Sequence, residues 1–144
     1  MIDRLFSNEM MAIVQKALDA SSLQSRVIAN NLANVDTPGF KRSEVLFKEK
    51  LKAAMDSRQE ADSDLQAALT DPAHIAFSET ATVDSVRPSI LTRADTSFRN
   101  DKNNVDIDAE MAHLSENTIY YNALTQLTQM HFSEIKEAIL EGRR

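Results

Sequence analysis

Two heptad seams, one near each end of the chain, constrain this sequence more than any other feature in it. Apolar and small residues at Met11, Val14, Leu18, Ser21, Ser25, Ile28, Leu32 and Val35 fall at alternating steps of three and four. This spacing predicts a helix from about Asn8 to Asn34, with Ser7 or Asn8 capping its start. The second seam runs through Ile107, Met111, Leu114, Thr118, Tyr121, Thr125, Thr128, Phe132, Ile135 and Ile139. It predicts a helix from about Asp106 to Glu141, with Asp106 or Asp108 as N-cap and Gly142 just past the end. Asp108 and Glu110 suit the positive end of its dipole, and Arg143 and Arg144 the negative end. At 1.5 Å per residue the helices would be roughly 40 and 54 Å long, more than a small globule requires.

Composition agrees with few, long elements, because the 144 residues include only two Gly and three Pro. A fold with many tight turns uses more of both. The net charge of -6 argues against nucleic acid as a partner, since phosphate contacts need a basic face. The absence of Cys excludes disulfides, thiolate zinc sites and a cysteine nucleophile. The first twenty residues lack the basic region, unbroken apolar run and small-residue cleavage site of a secretory signal. No run approaches the ~20 apolar residues of a membrane span, so no membrane insertion is expected.

Between the helices lies a segment of different character. Its first part, about residues 43–56, reads as a short amphipathic helix carrying Val45, Leu46, Phe47, Leu51, Ala54 and Met55. Arg58 to Ala68 is polar and reads as mobile, and Pro72 marks a turn. Ala76 to Asn104, rich in Ser, Thr and Val, reads as extended chain or short hairpin strands. The expected organisation is therefore an N-terminal core helix (1–35), a connecting arm (36–105) and a C-terminal core helix (106–144). The expected fold is mainly α, its two long helices packed as an antiparallel, coiled-coil-like pair.

No arrangement in the sequence supports chemistry. An EF-hand frame started at Asp101 puts Asp106 where glycine is required and Ala112 where the bidentate carboxylate belongs. His113 and His131 share a helix face but sit roughly 27 Å apart, too far to share a metal. There is no Gly-rich phosphate loop, nucleophile elbow or zinc-protease motif. No catalytic residue, cofactor or metal is expected, and the chain is read as a non-enzyme.

The most specific stretch is ANNLANVDTPGFKR, Ala29 to Arg42. Asn30 and Asn34 lie at i, i+4, with Asn31 one position round. An asparagine in a helix interface costs stability but fixes register, because its amide must find partners. Asn34 suits the left-handed position past a helix end. Pro38 pushes Thr37 out of helical space, and Pro38–Gly39 fits a type II turn with φ > 0 at the glycine. Phe40 follows as an aromatic anchor. The stretch reads as a joint: a register-fixed helix end, a rigid turn and a plug.

The residues leave two readings of the seams open. One is a helix pair that buries its own core. The other adds neighbouring subunits, favoured by the helix lengths and by the apolar residues Ala17, Ala20, Val27, Leu124, Leu127 and Ala138 beside the seams. Ser21, Ser25, Thr118, Thr125 and Thr128 would allow close approach and interhelix hydrogen bonds. The expected packing seam comprises Met11, Val14, Leu18, Ile28 and Leu32 with Met111, Leu114, Tyr121, Phe132 and Ile135.

The joint resembles the N-terminal signature of the flagellar rod, hook and axial proteins, A-N-N-[LI]-A-N-x-x-T-P-G-[FY]-[KR]. Ala29, Asn30, Asn31, Leu32, Asn34, Thr37, Pro38, Gly39, Phe40 and Lys41 stand at its positions. Asn103 to Leu127 is similar to the start of the long C-terminal helix of the short proximal-rod proteins, and TDPAHI and VLFKEKL fit the same subgroup. The resemblance implies a structural subunit of the proximal rod, self-assembling into a helical tube that transmits torque from motor to hook. It implies as partners further copies of the chain, other rod proteins, junction proteins of the inner-membrane ring and export gate at the rod base, and the flagellar type III export apparatus. It implies a periplasmic place in the basal body, reached without a cleaved signal. The ten signature residues would then be an assembly motif. The isolated chain would be partly disordered up to about Asn34 and beyond Asp106. The alternatives are another short rod protein of this family and a soluble helical adaptor or export chaperone. One departure stands out: Lys102 occupies the usual glycine of D-G-N-N-V-D, which would strain the turn if φ > 0 is needed there.

Overall fold

The computed structural model describes residues 8–61, 85–94 and 100–141. Five elements follow in order: α1 (Asn8–Ala33), β1 (Ser43–Leu46), α2 (Lys48–Ala61), β2 (Ser89–Thr92) and α3 (Ile107–Glu141). The chain forms two compact units, Met1–Val45 with Ile90–Arg144, and Leu46–Ser89.

In the first unit α1 packs on α3, as the paired seams predict. The line that α1 buries holds Val14, Ala17, Ala20, Ser21, Val27, Ile28 and Asn31. Ala17, Ala20 and Ser21 are small enough to bring the two backbones close together. Met11, Leu18 and Leu32, also expected on the seam, are half-buried. Among the described residues of α3 the buried line is Glu110, Asn117 and Leu124, at heptad spacing.

That line corrects the expected seam on α3. Met111, Tyr121 and Phe132 are 47%, 42% and 57% exposed. Leu114 and Ile135 are half-buried at the border. Met111 and Phe132 each follow a residue of the Glu110, Asn117, Leu124 register, which places them about 100° round the helix. A search for apolar periodicity passes over a buried line in which two of three residues are polar.

The seam hydroxyls divide in the same way. Ser21 Oγ donates to Asn117 Oδ1 at 2.8 Å, and Asn117 Nδ2 donates to Ser21 O at 2.9 Å and Ser25 Oγ at 2.8 Å. One asparagine thereby satisfies its amide across the helix pair. Thr118, Thr125 and Thr128, expected to bond between helices, instead donate to the carbonyls of Leu114, Asn122 and Leu124 in their own helix.

Caps explain where α3 starts. Asp106 Oδ1 accepts the N–H groups of Asp108 at 2.9 Å and Ala109 at 3.4 Å, so Asp106 is the N-cap. Gly142 and the two arginines after it lie outside the described residues, as do Ser7, Pro72 and His74.

The beginning of the arm differs from expectation. Residues 43–46 form a strand, and the helix that follows starts at Lys48 and continues through 58–61, a stretch expected to be mobile. Leu51 N–H bonds to Phe47 O at 2.8 Å, so the first helical turn opens only after the strand. The extended segment expected near residue 90 is present as β2, paired with β1. Arg93 N–H bonds Arg42 O at 2.8 Å and Ser43 Oγ meets Thr92 Oγ1 at 3.1 Å, a pairing that runs antiparallel. In the second unit Phe47, Ala54 and Val86 are buried.

Candidate assembly joint

The helix end at Asn34 needs partners for its last carbonyls, because the helix does not continue to donate to them all. Asn34 N–H bonds both Asn30 O (3.2 Å) and Asn31 O (3.1 Å), and Asn34 Nδ2 returns to Asn30 O at 2.8 Å. Asn34 does not take the expected left-handed conformation. Among the described residues other than glycine, only Lys102 has a positive φ. Val35 N–H bonds Leu32 O at 3.3 Å and Thr37 N–H bonds Asn34 O at 3.0 Å, and Asn103, far along the chain, supplies a further donor. Its Nδ2 lies 3.0, 2.9 and 3.0 Å from the carbonyl oxygens of Asn34, Val35 and Thr37. Its Oδ1 accepts Val105 N–H at 2.7 Å. No part of Asn103 is exposed.

The turn has the expected geometry. Phe40 N–H bonds Thr37 O at 3.2 Å, with Pro38 and Gly39 between them. Gly39 has φ 74°, the left-handed region that a type II turn requires at this position. A Cβ added there would meet nothing within 4 Å, so backbone conformation, not space, selects the glycine. Gly39 N–H donates to Asp101 O at 2.8 Å, which ties this turn to the one at Lys102. Lys102 has φ 63°, the strained state that its replacement of glycine implied. Phe40 is half-buried.

Asn31 acts as an inserted rung beside β1. Its Oδ1 accepts Ser43 N–H at 3.0 Å and its Nδ2 donates to Ser43 O at 2.7 Å, the bonding a neighbouring strand would provide. The same Nδ2 reaches Glu110 Oε2 at 3.1 Å. Glu110 Oε1 accepts Arg42 Nε at 2.6 Å. Glu110 is 1% exposed, so its charge is tolerable only because Arg42 and Asn31 occupy both oxygens. Asn104 Oδ1 accepts Arg42 N–H at 2.6 Å while its Nδ2 donates to Arg93 O at 2.7 Å, which holds both strand ends with one amide. Arg93 also meets Glu44 at 2.7 Å. Among the described residues, no buried side-chain nitrogen or oxygen lacks a partner.

The signature residues thus separate into two groups. Asn31 is buried and Leu32, Asn34, Phe40 and Lys41 are half-buried, whereas Ala29, Asn30, Thr37, Pro38 and Gly39 are exposed. Reasoning from sequence gave no role in the joint to Asn103 or Asn104 and read Glu110 only as a helix-start charge, yet all three complete the joint. The available signal was a second pair of asparagines placed just ahead of a helix cap.

Among the described residues there is no group of His, Asp and Glu able to hold a metal ion, and no helix is long and apolar enough to cross a membrane. The model of the family "Flagella basal body rod protein" matches residues 11–41, from the seam of α1 through the Pro38–Gly39 turn. The flagellar basal body rod protein FlgB of Bacillus subtilis is 36% identical over 139 residues, 96% of this chain and 98% of that protein. FlgB of Borrelia hermsii is 37% identical over 127 residues, 88% of this chain and 93% of that protein. FlgB of Salmonella typhimurium is 30% identical over 121 residues, 84% of each. The similarity spans the asparagine-rich end of α1 and nearly all of the chain beyond it, and this chain therefore belongs to the FlgB family of flagellar basal body rod proteins.

Proposed function

We propose that this chain is a structural, non-catalytic subunit of the proximal rod of the bacterial flagellar basal body. The observation that carries the proposal is similarity to FlgB along 96% of the chain, with the ten signature residues inside the family match. The subunit assembles with copies of itself and other rod proteins into a helical tube that carries torque from motor to hook. At the rod base it meets junction proteins of the inner-membrane ring and export gate. It reaches its periplasmic place through the flagellar type III apparatus, without a cleaved signal.

The exposed side of α3 supports this reading. Ile107, Met111, Tyr121, Phe132 and Ile139 are exposed apolar residues at heptad spacing on a helix already paired with α1. A seam on a second face suits a head-to-tail contact that propagates instead of closing. The ten signature residues serve assembly indirectly: they set the conformation of the subunit that neighbours meet.

Deletion of the gene from its own organism tests the proposal. Loss of motility is expected, with basal bodies that lack a rod and are restored by the wild-type chain. Basal bodies with complete rods in the deletion strain would contradict it.

A further inference from the structure

We propose that the joint is a latch: Asn31, Asn103, Asn104 and Glu110 close it as one cooperative unit, and it opens while α1 and α3 stay paired. Three observations carry this. First, the joint is held mainly by side-chain amides that link segments distant in sequence. Asn103 holds the end of α1 and the start of α3 together, and Asn104 holds Arg42 and Arg93. Loss of one amide therefore releases bonds on several segments at once. Second, the helix pair has its own polar layer, Ser21, Ser25 and Asn117, which shares no residue with the joint. Glu110 and Asn117 are about 10 Å apart along α3, so one layer can open without breaking the other. Third, two left-handed backbone positions face each other through the bond from Gly39 N–H to Asp101 O. Lys102 carries strain in the closed state that opening relieves. The usefulness of such a latch rests on the rod reading, in which a subunit with differing neighbours gains from a two-position joint.

Hydrogen exchange on the full chain tests the latch directly and does not depend on rod assembly. The reporters are the N–H groups of Gly39, Arg42, Ser43, Arg93 and Val105, each bonded within the joint. They are expected to exchange at a common rate, faster than the amides of Ser21–Ile28 and Leu114–Leu124. Asn103→Ala is expected to speed all five by about tenfold or more, with those helix amides within about twofold of wild type. Lys102→Gly is expected to slow all five by about threefold. Acceleration confined to Val105 after Asn103→Ala would overturn the proposal, because the bonds would then be independent. Equal acceleration of the helix amides would also overturn it, because joint and helix pair would be one unit. A failed latch alongside a rodless deletion strain would leave the rod reading intact.

Discussion

Near its start, α3 turns Glu110 and Asn117 towards α1, and both are buried with partners on their polar atoms. Near its end, Met130, Phe132, Ile139 and Leu140 are each more than half exposed. One helix therefore joins an end whose buried polar groups are satisfied within the chain, beside exposed Ile107 and Met111, to an end whose large apolar groups are more exposed. Only a few of the exposed groups at that end contribute to a cleft of about 130 Å³, where Met10, Met11 and Val14 face Leu127, Met130 and His131. The difference separates two tasks. The joint end fixes one closed geometry, because buried amides and a buried carboxylate accept few alternative partners. The far end supplies non-directional apolar surface that a neighbouring subunit can cover.

The first way to break this comparison is to remove the charge at the joint. Glu110→Ala leaves Arg42 and Asn31 without their shared acceptor. A loss of about 3 kcal/mol is expected by urea denaturation, reduced from the fully buried case because Arg42 can reach water. Gly39→Val should come next, at about 2 kcal/mol, since a β-branched residue resists positive φ. Gly39→Asn should cost less than about 1 kcal/mol, because a Cβ has room there and asparagine tolerates this region. Motility should follow the same order, with Gly39→Val blocking incorporation into the rod while export continues. Relief of strain by Lys102→Gly should stabilise the chain by about 0.5 kcal/mol. The smallest change in stability is expected at the far end. Phe132→Ser and Ile139→Ser should alter the isolated chain by under about 0.5 kcal/mol yet impair rod formation, as measured by swimming and by rod yield in purified basal bodies. A large loss of stability from Phe132→Ser would show that the far end is part of the subunit's own core.

Much of this contrast was legible in the sequence, though not at every residue. The two helices stood out because their seams are long, and their ends fell within a residue or two of the observed ones. The Pro38–Gly39 turn was legible because only a few residues fit its geometry. The face of α3 that meets α1 was not, because Glu110 and Asn117 count as surface residues in any apolar pattern. Residues 43–46 were read as helix because Val45 and Leu46 suit an amphipathic turn. Tertiary bonds from Asn31 and Arg93 override that local preference. Asn103 and Asn104 were invisible as parts of the joint because their partners lie far away in the chain.

The isolated chain is expected to be partly disordered up to about Asn34 and beyond Asp106, whereas the bonds of the joint are all made within one molecule. Hydrogen exchange of the isolated wild-type chain, followed along α3, tests the division most directly. Amides of residues 110–117 should be protected at least about a hundredfold more strongly than those of 130–141. Uniform protection along the whole helix, or protection greatest at its far end, would contradict the division.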